Sequence, residues 1–454
     1  MGWFRLVATA VVVAVCLVSG GARAETFTLV DALAVAYETN PALDSARAGQ
    51  RATDEDVAQA NANWRPQVNV SGSYGYEGIH GGLGIPGTYP LHPLTTQVTV
   101  AEPVFRGGRT YAEVGKAKAT VRAGRAQLVN TEQSVLFDAV SAYMDVVRDE
   151  ATLKLRQNNV AVLQKQLDAT QEQFRVGELT RTDVAQSQAR LAGAQADLVT
   201  AQGQLAVSRS NFEHVIGRPA ETLEDQPAFP RLPSSQDTAV QIATNQNPAL
   251  IQAREEAKAA DYAVDDALGA LLPQVSVNGQ YQYSQGSITG FSIGTQHITS
   301  LLGEVTVPIY QGGAEESAVR QAKQQRGQAQ LAIADTQRQV EDATRTAWQA
   351  YVTAEATIKS NKAQVAANEV AFDGVKQEQQ VGSRTILDVL NAEQELLNAE
   401  VAVVSSQRDS YVAAYQLLGA MGLLTARNLA LQVKLYDPVE NYNDNASRWF
   451  GLGD

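Results

Sequence analysis

The sequence predicts a mainly α-helical chain with a smaller β portion, built from two copies of one large unit, and three observations carry that prediction. First, the chain repeats itself. Asn40-Pro41-Ala42-Leu43 with Ala46-Arg47 returns as Asn247-Pro248-Ala249-Leu250 with Ala253-Arg254, and Pro66-Gln67-Val68 returns as Pro273-Gln274-Val275, at an offset of 207. Farther on the offset is 205: Pro103 matches Pro308, Gly107-Gly108 match Gly312-Gly313, Val176-Gly177 match Val381-Gly382, and Asp183-Val184 match Asp388-Val389. Second, none of the 14 prolines falls between Pro103 and Pro219 or between Pro308 and Pro438. Proline lacks the N–H of a helix interior and clashes with the preceding turn, so two such stretches are room for unusually long helices. Third, each copy carries short segments that alternate apolar and polar residues, the period of a half-buried strand.

The elements follow in order. Residues 1–24 have the layout of an export signal: Arg5, an apolar run from Leu6 to Val18, then Ala22-Arg23-Ala24. That run is too short to span a bilayer as a helix. Without it, 34 basic and 49 acidic residues leave a charge of −15. An acidic surface excludes nucleic-acid binding, which needs clustered cations against phosphates. Cysteine is absent after Cys16, which removes a disulfide framework and a cysteine zinc site.

The first repeat, 25–217, reads as a helix, strands about 66–78 and 95–105, a long helix 109–176 and a helix 180–217. A Pro-rich connection follows at 218–246. The second repeat, 247–422, has strands about 273–285 and 299–310, a long helix 314–381 and a helix 385–422, with a terminal segment at 423–454. In the first strand Val68, Val70, Gly72, Tyr74 and Tyr76 alternate with Asn69, Ser71, Ser73 and Gly75. Its counterpart alternates Val275, Val277, Gly279, Tyr281 and Tyr283 with Ser276, Asn278, Gln280 and Gln282. Such strands suit a soluble sheet on a core or a membrane barrel equally. If they lie in a membrane, four strands cannot close, and an open edge cannot face lipid, so several chains must share one barrel. Three would supply twelve strands.

Each long helix would extend roughly 100 Å at 1.5 Å per residue. The helix after each turn carries a heptad seam, Leu191, Ala194, Leu198, Ala201, Leu205, Ser208, Phe212 and Val215 in the first copy. Gly107, Gly108, Gly312 and Gly313 read as strand-to-helix breaks, and Gly177 and Gly382 mark the distal turns. Thr180 with Asp183, and Thr385 with Asp388, have the spacing of a capping box. His80, His92, His214 and His297 show no metal-ligand spacing, and three of them fall in the expected sheet loops. No catalytic site, metal or cofactor is expected.

The Thr26-to-Leu33 segment, Asn40-Pro41-Ala42-Leu43, Pro66-Gln67-Val68, the Pro103-Val-Phe-Arg-Gly-Gly and Pro308-Ile-Tyr-Gln-Gly-Gly junctions, and Val381-Gly-Ser-Arg-Thr-Ile-Leu-Asp-Val-Leu-Asn391 together resemble the TolC family of outer-membrane channel proteins. The resemblance covers about Thr26 to Gly422. It implies a homotrimer with a shared twelve-stranded β-barrel among outer-membrane lipid, and a helical tunnel through the periplasm with a mixed equatorial region. It also implies a periplasmic adaptor (membrane fusion protein) and an inner-membrane ABC or other transporter as partners. The tail, Tyr436-Asp437-Pro438 then Trp449-Phe450-Gly451, is similar to members serving type I protein secretion, with multidrug efflux as the alternative. A soluble periplasmic coiled-coil scaffold is the reading from a different class. By the same resemblance Asp388 and Asn391 would form the pore constriction, and Arg384, Thr182, Asp183 and Gln166 the gate links. Arg384 is expected to pair with a neighbouring acid such as Asp183.

Overall fold

A computed structural model describes residues 26–80, 88–288 and 291–452. The expected export signal, part of the first loop between strands and the last two residues lie outside them. Helices α1 (Leu29–Thr39) and α2 (Pro41–Ala62) lead into β1 (Gln67–Tyr74), β2 (Glu77–His80), β3 (Thr88–Leu91) and β4 (Leu94–Arg106). The hairpin of α3 (Arg109–Arg175) and α4 (Arg181–Ile216) completes the first unit. The second contains α5 (Gln236–Gln246), α6 (Pro248–Gly269), β5 (Gln274–Ile288), β6 (Phe291–Thr306), α7 (Ala314–Gln380) and α8 (Ile386–Ala420), and α9 (Glu440–Asn445) follows. Helices α3 and α7 both contain 67 residues, set in register by the offset of 205.

Several elements differ from the sequence expectation. Each unit opens with two helices, because Asn-Pro breaks the run: the residue before proline is pushed out of helical geometry, and Asn40 and Asn247 are extended. The second unit therefore begins inside the Pro-rich connection, with α5 capped by Ser235. The first strand stops at Tyr74 and resumes at Glu77, with the Gly75 amide turned to the Pro93 carbonyl at 3.1 Å. The last strand spans 291–306 in place of 299–310, ending just before Pro308, which has no amide for the ladder. His297 lies within that strand and not in a loop. Pro103 sits in β4, where the register against β5 shifts between Pro103 and Phe105.

The two asparagines do more than interrupt helices. Asn40 accepts from the Ala42 amide and donates to the Val215 carbonyl at 3.0 Å, on the last turn of α4. Asn247 accepts from Ala249 and donates to the Ala420 carbonyl at 2.9 Å, on the last turn of α8. Each side chain thus satisfies one orphan donor at a helix start and one orphan acceptor at another helix end. Asn247→Ala is expected to cost about 1–3 kcal/mol. Asn247→Asp, which keeps the cap and loses the donor, should recover part of that loss in thermal denaturation.

The main core lies at mid-height, not along the hairpins. Leu136, Val140, Tyr143 and Met144 of α3 pack with Leu29, Leu33 and Ala36 of α1, Phe212 and Ile216 of α4, and Leu417, Leu418, Met421 and Leu424 at the end of α8. The buried Tyr143 hydroxyl donates to the Phe27 carbonyl and accepts from the Glu224 amide, both at 2.9 Å, tying the connecting segment to α3. Away from this core the hairpins are two-helix coils. Leu191, Ala194, Leu205, Ser208 and Phe212 are buried along the α4 seam, and Leu198, Ala201 and Val215 are half-buried.

The sheet is antiparallel in the order β1-β4-β5, with β6 pairing the far side of β5 and the short β3 and β2 reached through a bridge from Leu91 to Ile288. The pairing keeps like residues in rows. Val68 pairs with Val100, Val100 with Gly279 and Gly279 with Leu301; on the same face Val70, Val98, Tyr281 and Thr299 form the next row. The opposite face carries Asn69, Thr99, Gln280 and Ser300 in one row. One face is therefore suited to lipid and the other to water. Tyr281 and Tyr283 flank His297 on the first face, with the Tyr281 hydroxyl 2.9 Å from His297 Nδ1.

Gly107 and Gly269 lock the two units together where the first strand pair meets its helix. A Cβ on Gly107 would lie 2.2 Å from the Gly269 carbonyl oxygen, and one on Gly269 would lie 2.8 Å from that of Gly107. Gly107 and Gly108 both have positive φ, as do Gly312 and Gly313.

Candidate functional site at the distal helical turns

Each hairpin reverses on the same device. The long helix ends at a glycine in the left-handed conformation, Gly177 (φ +83°) or Gly382 (φ +79°), a geometry that favours a residue without Cβ. The next helix then starts with a capping box. In the first turn the Thr180 amide and hydroxyl donate to Asp183 Oδ2 at 2.9 and 2.7 Å, and the Asp183 amide returns a bond to Thr180 Oγ1 at 3.3 Å. In the second, Thr385 and Asp388 repeat the pattern at 2.9, 2.8 and 3.3 Å. These bonds stabilise the charged carboxylates. The Thr180 hydroxyl and amide hold Asp183 below its ordinary range. The Thr385 amide and hydroxyl do the same for Asp388, with Arg384 adding attraction.

Between glycine and cap the copies diverge, Glu178-Leu179 against Ser383-Arg384. Arg384 Nε donates to Glu378 Oε2 at 2.9 Å, and both side chains are about half exposed. The Ser383 amide and hydroxyl both donate to the Glu378 carbonyl at 2.9 Å. Glu378 thus clasps the second turn through its backbone and its side chain. Within the chain the neighbouring acid that pairs with Arg384 is Glu378, while the Asp183 carboxylate is held by its own cap. Among the described residues Arg384 makes no hydrogen bond to Thr182, Asp183 or Gln166 within the chain. Thr182 is exposed on the first turn of α4. Gln166 is half-buried on α3, and its carbonyl accepts from the Thr170 hydroxyl at 2.8 Å.

Asn391, one turn beyond Asp388, accepts from Arg190 Nη2 at 2.7 Å. That bond joins α4 to α8 beside a small apolar cluster of Leu163, Leu167, Leu191, Ala194, Ile386 and Leu390, where the second hairpin packs on the first. Sequence reasoning missed Arg190, whose counterpart at the offset of 205 is Glu395, so the repeat gave no signal for it. It missed Glu378 as well, although a carboxylate six residues before an arginine across a glycine turn was visible. Two residues beyond Asn391 along α8, Glu393 is 9% exposed, and burial pushes its carboxyl up to about 7 against the attraction of Lys376.

Among the described residues no group of three or more His, Cys, Asp or Glu is placed to hold a metal ion, and no helix is long and apolar enough to cross a membrane. A sheet with one apolar and one polar face, joined end-on to long coiled-coil hairpins with charged turns, defines a class: an outer-membrane channel with a helical tunnel in the periplasm. The chain belongs to the outer membrane efflux protein family, whose profile matches residues 32–218 and 239–423. It is similar to the outer membrane efflux protein BepC of Brucella suis, 37% identical over 99% of this chain and 96% of that protein. It is 26% identical to the outer membrane protein TolC of Vibrio cholerae over 87% of this chain and 90% of that protein. The crystal structure of the Campylobacter jejuni CmeC outer membrane channel superposes with a TM-score of 0.78 at 16% identity, covering 92% of this chain and 89% of that one.

Proposed function

We propose that this chain is the outer-membrane exit duct of a tripartite export assembly. It would form a homotrimer that receives cargo from an inner-membrane transporter through a periplasmic adaptor. Channels of this family work with such adaptors and transporters. The observation that carries the reading is the separation of the sheet into an apolar row and a polar row with β1 and β6 left as edges. An edge strand cannot face lipid unpaired, so β6 of one copy would meet β1 of the next until the barrel closes. Helix α7 agrees: Leu331, Val352 and Val370 are exposed on it, whereas its counterpart α3 is buried along much of its length.

Efflux of small molecules is favoured by the 37% identity to a protein named for efflux. Type I protein secretion is favoured by similarity to the alkaline protease secretion protein AprF of Pseudomonas aeruginosa, 25% identical over 66% of this chain. A passive tube serves either, with the transporter choosing the cargo.

In this reading three Asp388 carboxylates, ionised at neutral pH, ring the entrance and favour cations, with Asn391 one turn above. The Arg384–Glu378 clasp and the Arg190–Asn391 bond hold the turns in the narrow arrangement, with Thr182, Asp183 and Gln166 lining the neighbouring hairpin. Single-channel recordings in planar bilayers test this. Arg384→Ser and Glu378→Gln are each expected to raise conductance severalfold, and Asp388→Asn to lower the preference for cations over anions. Conductance and selectivity unchanged in all three variants would remove the entrance from the turns.

A further inference from the structure

The chain after α8 does not end at the equatorial core. It climbs α2 towards the sheet, and each step is a hydrogen bond. Asn441 Nδ2 donates to Asp54 Oδ2 at 3.2 Å, Asn61 Nδ2 donates to the Ala446 carbonyl at 2.9 Å, and Arg65 Nη1 and Nη2 donate to the Arg448 and Ser447 carbonyls at 2.6 and 3.2 Å. The order Asp54, Asn61, Arg65 along α2 and its exit is matched by 441, 446 and 448 along the tail. The tail is thereby delivered to the foot of β1, which starts at Gln67.

There it presents a group of side chains left exposed among the described residues. The Arg65 guanidinium lies over the Trp449 ring at 4.8 Å, and the Trp449 and Phe450 rings are 6.5 Å apart. Trp449 is 61% exposed and Phe450 87%, Leu452 is fully exposed, and Trp64, next to Arg65 in the chain, is about half exposed. Arg65, Trp449 and Phe450 lie together at the foot of β1, with Trp64 preceding Arg65 and Leu452 following Phe450 by two residues along the chain. Val68 and Val70, exposed on the apolar face of the sheet, follow Arg65 by three and five residues along the chain. Amphipathic rings with a polar edge settle at the headgroup level of a bilayer, and guanidinium groups there find lipid phosphates.

We propose that Trp449, Phe450 and Leu452 insert into the periplasmic leaflet of the outer membrane as an interfacial anchor. Trp64 and Arg65 complete it, and α2 sets its height. The occupant of this apolar group is phospholipid, because the group is seated at the foot of the strand that carries the sheet's exposed apolar face and has the Arg65 cation over its Trp449 ring.

Tryptophan quenching tests it in the trimer of chains from which residues 1–24, and with them Trp3, have been removed, reconstituted in phosphatidylethanolamine–phosphatidylglycerol vesicles whose acyl chains are brominated near the glycerol end. In a W64F/W348F channel the remaining Trp449 emission is expected to fall by about half or more relative to unbrominated vesicles, as for a ring at the interface. Aqueous iodide should have little effect. Trp348, alone in a W64F/W449F channel, should ignore the bromines. Should the core substitution at Trp348 prevent folding, the difference in quenching between wild type and W449F gives the same reading. Two results would overturn the proposal: Trp449 open to iodide and indifferent to bromine, which places it in water, or shielded from both, which places a second copy or another protein segment over it.

Discussion

Gly107→Ala is expected to abolish most of the folded trimer recovered from outer membranes, whereas its neighbour Gly108→Ala should reduce it only modestly. Both positions have positive φ, 64° and 84°, so both substitutions carry the left-handed penalty of about 1–2 kcal/mol. Only Gly107 also meets an obstacle, the Gly269 carbonyl oxygen at 2.2 Å from the added Cβ, and backbone on the other side cannot rotate away as a side chain would. Overpacking of that kind costs roughly 1–3 kcal/mol more. It falls where α3 of one unit crosses the end of α6 of the other, so the unit-to-unit joint would open. Heat-resistant trimer on gels, scored for both variants at equal expression, checks the difference. Equal recovery of the two would show that the glycine pair is not a joint.

The second large effect concerns acidity. Glu393 keeps its proton in the folded chain up to about pH 7, whereas an unfolded carboxyl releases it near 4.5. Between those values the folded state binds more protons than the unfolded state, so the contribution of this group to stability falls as pH rises. The loss is complete above about 7, where it is roughly 3 kcal/mol per chain. Glu393→Gln should therefore raise the melting temperature at pH 8, leave it nearly unchanged at pH 4, and flatten the slope between. A variant whose melting curve tracks wild type at both ends would mean that this carboxyl is solvated in the assembled channel.

Much of the architecture was legible because both its signals are covalent or periodic. Duplication shows as an offset, and helices that tolerate no proline show as proline-free intervals. The capping boxes were legible for the same reason, since Thr180 with Asp183 and Thr385 with Asp388 act over one helical turn. What escaped depended on chain segments meeting in space. Arg190 reaches Asn391 across 201 positions, and Gly269 meets Gly107 across 162, with no local pattern marking either. Helix α5 was hidden by the prolines before it, which read as a loop up to Ser235. The β6 start was hidden by Thr, Gln, Ser and Gly, which suit a water-facing strand and an exposed loop alike. At the distal turns, the resemblance pointed Arg384 to a neighbouring acid such as Asp183, and within the chain it reaches Glu378. The nearer acid, Glu378, had less distance and less side-chain entropy to overcome.

The asparagines that fasten the last turns of α4 and α8 have a mechanical consequence. A helix of 35 residues, such as α8, is about 53 Å long. Held at one end by Asn247 and at the other by the Arg190–Asn391 bond and the small cluster around Ile386 and Leu390, it is a lever, and a swing of about 5° at the Asn247 end carries the distal turn through about 5 Å. Such a swing asks almost nothing of the helix itself, whose internal ladder stays whole, and little of the mid-height packing near the fulcrum. The effort would fall at the far tip, on the bond from Arg190 to Asn391 and the apolar contacts of Ile386 and Leu390.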